Sequence, residues 1–232
     1  MMARARRTRL LAGLAAALLV ALGAIGWMHT GAGLRFLAFL GVPCPADTVD
    51  VRQVDALRAH GLAAVRGSVA APARPLPAGL RLDTTTEAEA RALLARAHAQ
   101  CDDRARGYRY LRCRGVDTGA LALAGPPVSE VWLSFDGAGR LVGVDLYWRG
   151  MAPAELRTVW SGATRALRKT LGTPTLELGD PAPEALAAQA VQTARVQYRF
   201  ADYMATVTAA HMPQAGLSVR EQYLSARMYT RL

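Results

Sequence analysis

After residue 80, the spacing of hydrophobic residues changes between a helical repeat of three to four residues and a strand repeat of two residues. From Glu87 to Gln100 apolar residues recur every three or four positions, which predicts an amphipathic helix. Thr84 and Glu87 have the spacing of a capping box, which indicates where this helix begins. Its inward stripe consists of Ala90, Leu93, Leu94, Ala97 and Cys101. Three segments follow in which every second residue is hydrophobic, as in half-buried strands: 108–113, 128–135 and 141–148.

The rest of the chain repeats this plan. Pro153 suits the first turn of a helix, and an apolar stripe continues from it to Leu171. A short connecting helix is expected at 180–191. Three alternating segments then predict strands: 194–200, 203–210 and 217–224. We therefore predict an α+β fold of two halves, 80–150 and 151–232, each with one helix and three antiparallel strands that form a sheet packed on the helix.

This order of elements resembles the tandem helix-plus-meander architecture of β-lactamase-inhibitor-protein-like and SmpA-type envelope modules. The resemblance covers residues 80–224 and includes the hairpin sequence Phe-Asp-Gly-x-Gly-Arg-Leu-Val at 135–142. It implies a binding, inhibitory or assembly role without catalytic machinery, and it assigns no functional residue. Function must therefore be argued from the residues of the site.

The N-terminus has the pattern of a membrane segment. Four arginines within residues 4–9 precede an uncharged apolar run at 10–28, which as a helix would be about 28 Å long, close to the hydrocarbon thickness of a bilayer. We expect a single-pass signal anchor in a bacterial inner membrane, with the arginines in the cytoplasm and the C-terminal domain in the periplasm. The alternative is a signal peptide cleaved at 21–23, which would leave a soluble periplasmic or secreted protein.

The predicted organisation has four parts. Residues 1–30 form the basic flank and the transmembrane anchor. Residues 31–79 form a juxtamembrane segment, a short helix and a linker whose three prolines lie among alanines. The two helix-plus-meander halves, 80–150 and 151–232, complete the chain.

Charge and composition narrow the classes of protein to which the chain can belong. The chain has 28 Lys+Arg against 18 Asp+Glu, a formal net charge of +10, and 52% hydrophobic residues, which argues against disorder. Every basic residue except Lys169 is arginine, a bias typical of a GC-rich bacterial genome. Because four of the arginines belong to the membrane flank and the others are spread along the chain, nucleic-acid binding is not predicted.

The three cysteines give one covalent prediction. Cys101 and Cys113 both belong to predicted inward faces, and in an oxidising compartment they would form a disulfide. The alternative is two buried thiols that pack as small apolar residues. Cys44 would then be unpaired or linked to a partner.

No catalytic constellation is recognised. The four histidines are scattered over separate elements, so no zinc site is predicted, and the sequences of nucleophile elbows and phosphate-binding loops are absent. Asp102 and Asp103 are expected in a solvated loop between helix and strand, because nothing nearby would bury them. No enzyme activity, cofactor or metal is therefore predicted. The alternative is a divergent enzyme whose site is assembled only in three dimensions.

Two surfaces are candidate binding sites. Aromatic residues with arginine dominate protein-binding hot spots, and the solvent side of the first sheet would present Tyr108, Tyr110, Trp132, Tyr147 and Arg149. If the linker or the second half covers these rings, they are core residues instead. The second sheet would present a basic face, which is either solvated or binds an anion: Arg195, Arg199 and Arg220.

The predicted function is that of a membrane-anchored periplasmic adaptor or assembly module that binds an envelope protein. The alternative function is binding of an anionic envelope polymer or lipid headgroup through the arginine face.

Overall fold

The computed structural model of the chain describes residues 13, 17–20, 22–27, 60–61, 66–106, 108–119, 121–123, 125–188, 192–212 and 214–228. The chain divides into two compact units, Met1–Val54 and Asp55–Leu232. In the first unit, residues 17–20 and 22–27 are helical. No helix among the described residues is long and apolar enough to cross a membrane. The remaining positions of the predicted anchor, most of the segment 31–65 and Cys44 lie outside the described residues.

The second unit contains an antiparallel sheet with helices on one of its faces. Its strands pair in the order β1-β2-β3-β4-β8-β7-β6-β5. The strands are β1 Gln100–Arg106, β2 Tyr108–Arg114, β3 Glu130–Phe135, β4 Leu141–Arg149, β5 Leu176–Leu178, β6 Thr193–Arg199, β7 Tyr203–Met212 and β8 Gly216–Ser225. The helices are α1 Glu87–Arg96, α2 Pro153–Leu171 and α3 Pro183–Ala187, with short 3-10 turns at Pro77–Gly79 and Ala226–Met228.

The mixed α+β class and the antiparallel strands are confirmed, but the two predicted sheets are one. β4 of the first half pairs with β8 of the second half over seven residue positions, from Gly143 opposite Leu224 to Arg149 opposite Ser218. The prediction of separate sheets was wrong because strand pairing between halves leaves no mark in the local sequence pattern.

The first half also has a strand where a solvated loop was expected. Gln100–Arg106 forms β1, and Asp102 and Asp103 lie on it. Charged residues hid the alternation, and such residues are common on edge strands because they discourage pairing with other chains. α1 ends at Arg96 instead of Gln100, since His98 adopts a positive φ of 55°.

The beginning of α1 differs from the prediction by two residues. The capping box consists of Thr86 and Glu89, whose side chains each accept a hydrogen bond from the other's backbone N–H, at distances of 2.7 and 3.2 Å. Thr84 and Glu87 have the same spacing. They do not form the box because the chain at Arg81 and Thr85 is still in a turn, closed by the Arg81 N–H donating to the Thr85 hydroxyl.

The core lies between the helices and the inner face of the sheet. Leu94 of α1 and Leu156 of α2 are almost fully buried against strand residues such as Leu133, Val144 and Val207. Burial of one such side chain contributes about 1.5–3 kcal/mol. Residues of both halves belong to this one core, so its burial stabilises both halves together. The Tyr198 hydroxyl donates to the carbonyl of Gly172 at 3.2 Å and ties β6 to the end of α2.

The proline-rich segment before residue 80 is extended and is hydrogen-bonded to the second half. The Gly67 N–H donates to the Phe200 carbonyl at 3.3 Å, and the Ala71 N–H donates to the Asp202 carboxylate at 2.8 Å. The Tyr203 hydroxyl donates to the carbonyl of Pro75 at 2.8 Å. A Cβ atom at position 67 would overlap the carbonyl oxygen of Arg199, so this contact requires glycine.

Candidate binding face of the sheet

The alternation of side chains gives the sheet an outer face, opposite the helices. On this face Tyr147 of β4 lies opposite Glu130 of β3 on one side and opposite Arg220 of β8 on the other. The same row continues through Thr208 of β7 to Arg195 of β6. The aromatic surface and the arginine surface predicted from the sequence therefore lie on one face and share one row of residues.

Three aromatic rings on the outer face form a continuous cluster. The ring centroids of Tyr110 and Trp132 are 6.2 Å apart at an interplanar angle of 71°, and those of Trp132 and Tyr147 are 6.4 Å apart at 65°. Such edge-to-face contacts are a preferred arrangement of aromatic pairs. All three residues are half-buried and none belongs to the core cluster. Tyr108 begins β2, and its side chain lies outside the described residues.

Glu130 is a buried carboxylate at one end of this cluster, with only 5% of its surface exposed. The Arg112 Nε donates to it at 3.1 Å and the Trp132 indole N–H at 2.9 Å. Nitrogens of Arg114 and Arg149 lie 3.4 and 3.5 Å away. Burial alone would raise the pKa of Glu130, but the hydrogen bonds from Arg112 and Trp132 and the nearby positive charges lower it to about 2.

A second carboxylate compensates one of the predicted anion-binding arginines. The Nε atom of Arg220 donates to the Asp145 carboxylate at 2.8 Å, and the amide of Gln222 donates to the same oxygen at 3.0 Å. Burial raises the pKa of Asp145, and the charge and hydrogen bonds of Arg220 oppose that rise. Burial and the neighbouring Asp145 raise the pKa of Tyr147 to about 12, so this phenol is neutral at physiological pH.

The arginines of the outer face lie over the rings. The guanidinium carbon of Arg112 is 5.2 Å from the centroid of Trp132. Tyr147 has two such neighbours, Arg149 at 5.2 Å and Arg220 at 5.4 Å. Each contact of this kind contributes about 0.5–1 kcal/mol at an exposed site. Together with the carboxylates, these contacts hold the guanidinium groups in place before any ligand binds.

The three predicted anion-binding arginines differ in their surroundings. Arg220 is paired with Asp145, and the Arg199 Nε donates to the side-chain oxygen of Gln197 at 2.6 Å. Arg195 is exposed, and among the described residues no carboxylate lies within ion-pair distance of it. The three belong to one face but do not form a uniformly free basic cluster.

The outer face has more positive than negative charge. Its described arginines are Arg104, Arg112, Arg114, Arg149, Arg195, Arg199 and Arg220, and its described acidic residues are Asp102, Glu130 and Asp145. The excess of guanidinium groups favours a ligand that brings carboxylates or other anions.

The predicted disulfide is confirmed. Cys101 and Cys113 are register partners on β1 and β2 and their sulfurs are bonded. Cys113 is fully buried on the inner face, and the bond attaches the edge strand to the rest of the sheet beside the aromatic cluster.

The inner face contains a carboxyl group that sequence reasoning missed. Glu221 is buried between Leu146 and Val207 in the strand register and accepts a hydrogen bond from the Tyr223 hydroxyl. Burial raises the pKa of Glu221 to about 7. Its position in an alternating strand between Val219 and Tyr223 was the available signal. Across the described part of the chain, no three His, Cys, Asp or Glu side chains come close enough to hold a metal ion.

Comparisons with known proteins found no relative of this chain. No protein-family model, no curated protein and no solved structure matches this chain.

Proposed function

We propose that the protein is a membrane-anchored adaptor or assembly module of the bacterial envelope, which binds another protein through the outer face of its sheet and catalyses no reaction. Residues 10–28 are the proposed anchor, and the sheet-bearing unit is placed in the periplasm. One observation carries the proposal: rings of the first half and guanidinium groups of both halves form a continuous, half-exposed surface.

This surface has the chemistry of a binding hot spot. Trp, Tyr and Arg contribute most of the binding energy in protein interfaces, and here Trp132 contacts both Tyr110 and Tyr147. Stacking and ion pairs hold the arginines in place, so little side-chain freedom is lost when a partner binds. The Arg220 contact joins the contribution of the second half to that of the first.

The anionic-polymer alternative has less support. A densely charged polymer binds best to several uncompensated cations in sequence. Arg220 is paired with Asp145, and three arginines share the carboxylate of Glu130. Of the three arginines proposed for this role, Arg195 alone has a side chain without an ion pair or a hydrogen bond among the described residues.

A photo-crosslinking amino acid can test the proposal in intact cells expressing the full chain. We expect a light-dependent adduct with a specific envelope protein when the crosslinker replaces Tyr110 on the outer face. The matched control places it at Thr170, an exposed residue of α2 on the opposite side of the sheet. With the purified partner, Tyr110→Ala and Arg149→Ala should each weaken binding about tenfold.

The absence of an adduct from position 110, or the same adduct from position 170, would contradict binding through the outer face. The location is tested separately by adding protease to spheroplasts, which should digest the sheet-bearing unit without lysis. Protection of this unit until lysis would place it in the cytoplasm and contradict that part of the proposal.

A further inference from the structure

We infer that the segment bound by the outer face is an acidic polypeptide, which places a carboxylate on Arg195 and an apolar side chain on the rings of Trp132 and Tyr147. This inference rests on the proposed function and specifies its ligand.

The carboxylate subsite lies at Arg195. Arg195 of β6 and Arg220 of β8 are both register partners of Thr208, on its two sides. The Arg220 guanidinium is directed towards β4, where it lies over Tyr147 and is paired with Asp145, so the arginine that can receive a carboxylate in this part of the row is Arg195. Only one of the two, Arg220, has a carboxylate partner. The site therefore has an uncompensated positive charge, and guanidinium groups match the shape of a carboxylate.

The same row shows how this face holds a carboxylate. At its other end Glu130 accepts hydrogen bonds from Arg112 and from the Trp132 indole, and its pKa is lowered to about 2. That carboxylate belongs to the protein itself and compensates part of the charge of the three arginines around it. Arg195 is exposed and has no acidic partner among the described residues, so it can receive a carboxylate from the bound segment.

The spacing within the row sets the spacing within the ligand. Tyr147 and Arg195 are separated by three strand-to-strand steps, about 14 Å. An extended peptide advances about 3.3 Å per residue. An acidic residue bound at Arg195 and an apolar residue bound at Tyr147 would thus be about four positions apart in a segment that crosses the strands.

A polypeptide fits this face better than a lipid headgroup or a polysaccharide does. The rings of Tyr110, Trp132 and Tyr147 occupy one part of it, where an apolar side chain gains contact that a phosphate does not. Arg112 and Arg149, which lie over these rings, are already paired with Glu130, whereas Arg195 at the far end of the row has no acidic partner among the described residues. A mixed ligand with one acidic and one apolar group matches that distribution.

The test uses the full chain in detergent and a display library of random linear peptides. We expect selected peptides to contain Asp or Glu with an apolar residue about four positions away, and their binding to weaken as NaCl is added. Arg195→Ala should weaken binding about tenfold, and Arg195→Lys less. Arg165→Ala is the matched control because Arg165 is exposed on α2, away from this face. Phosphatidylglycerol vesicles and lipopolysaccharide serve as the competing probes.

Three results would overturn the inference: selected peptides without acidic residues, equal binding by Arg195→Ala and the wild type, or vesicles and lipopolysaccharide binding through Arg195 while no peptide competes. An adduct from position 110 together with any of these would leave the proposed function standing and refute only the acidic ligand. Thermal unfolding of Arg195→Ala, expected to match that of the wild type, separates lost binding from lost folding.

Discussion

Tyr147 and Arg220 lie opposite each other on β4 and β8, with the Arg220 guanidinium 5.4 Å from the centre of the Tyr147 ring. Tyr147 belongs to the first half of the chain and Arg220 to the second. Their contact lies at the seam where the halves become one sheet. The aromatic cluster and the arginine row are continuous through this pair, so the surface exists only when both halves have folded together.

Removal of the disulfide should weaken the edge of this surface. Replacing Cys101 and Cys113 with alanine is expected to lower the free energy of unfolding by about 3 kcal/mol, because the closed loop no longer restricts the unfolded chain. Urea denaturation measures the change. Addition of a reductant should destabilise the wild type and have no effect on the double variant, and two free thiols at these positions in the native protein would contradict the prediction.

Substitution of Glu130 should reveal acid-sensitive stability. Its pKa is lowered from 4.5 to about 2, so its stabilising contribution, about 3 kcal/mol, is fully present above pH 4.5 and is lost as the pH falls through 2. Glu130→Gln should therefore be less stable than the wild type at neutral pH, and the difference should shrink in acid. Urea denaturation across this range tests the trend, and a constant difference would refute it.

Substitution of Glu221 should change the free energy of unfolding with the opposite pH dependence. Burial raises its pKa from 4.5 to about 7, so its contribution is fully present below pH 4.5 and is lost as the pH rises through 7. Glu221→Gln keeps an acceptor for the Tyr223 hydroxyl and avoids the buried charge. It should match the wild type in acid and be more stable above pH 7 by up to about 3 kcal/mol. An advantage that does not grow with pH would show that burial does not raise this pKa.

Attachment of the proline-rich segment should depend on Gly67. Gly67→Ala is expected to displace the segment from β6, because the added methyl group overlaps the carbonyl of Arg199. Limited proteolysis of the full chain should then cut between residues 66 and 79 faster than in the wild type. Gly162→Ala is a matched control, since Gly162 lies in α2 with open space around it and alanine there should stabilise by about 0.5–1 kcal/mol. Equal cleavage of the two variants would contradict the role of Gly67.

Local elements were predictable where the periodicity was undisturbed. The strands around Val196 and Val207 and the helix that begins at Pro153 agree with the structure to within about two residues, because each buries one face. β1 was missed because Asp102, Asp103 and Arg104 interrupt its alternation. The position of the capping box was missed because three consecutive threonines offer more than one suitable spacing.

Relations between distant residues could not be predicted in the same way. Alternation placed Trp132 and Tyr147 on one face, but it could not reveal that Arg220 completes their row, since that depends on the pairing of β4 with β8. The role of Glu130 was missed for a similar reason: its arginine partners come from β2 and β4. Glu221 was overlooked because the sequence pattern does not show how completely the helices bury the inner face of β8.

The order of the strands has a consequence for how the protein is made. β8 lies in the middle of the sheet, between β4 and β7, yet it leaves the ribosome after the other seven strands. Until Gly216–Ser225 emerges, β4 and β7 each expose an unpaired edge, and such edges promote association between chains. Because synthesis begins at the N-terminus, the chain passes through this state in every round of synthesis. The interval before β8 arrives is therefore when a molecular chaperone would have most to protect.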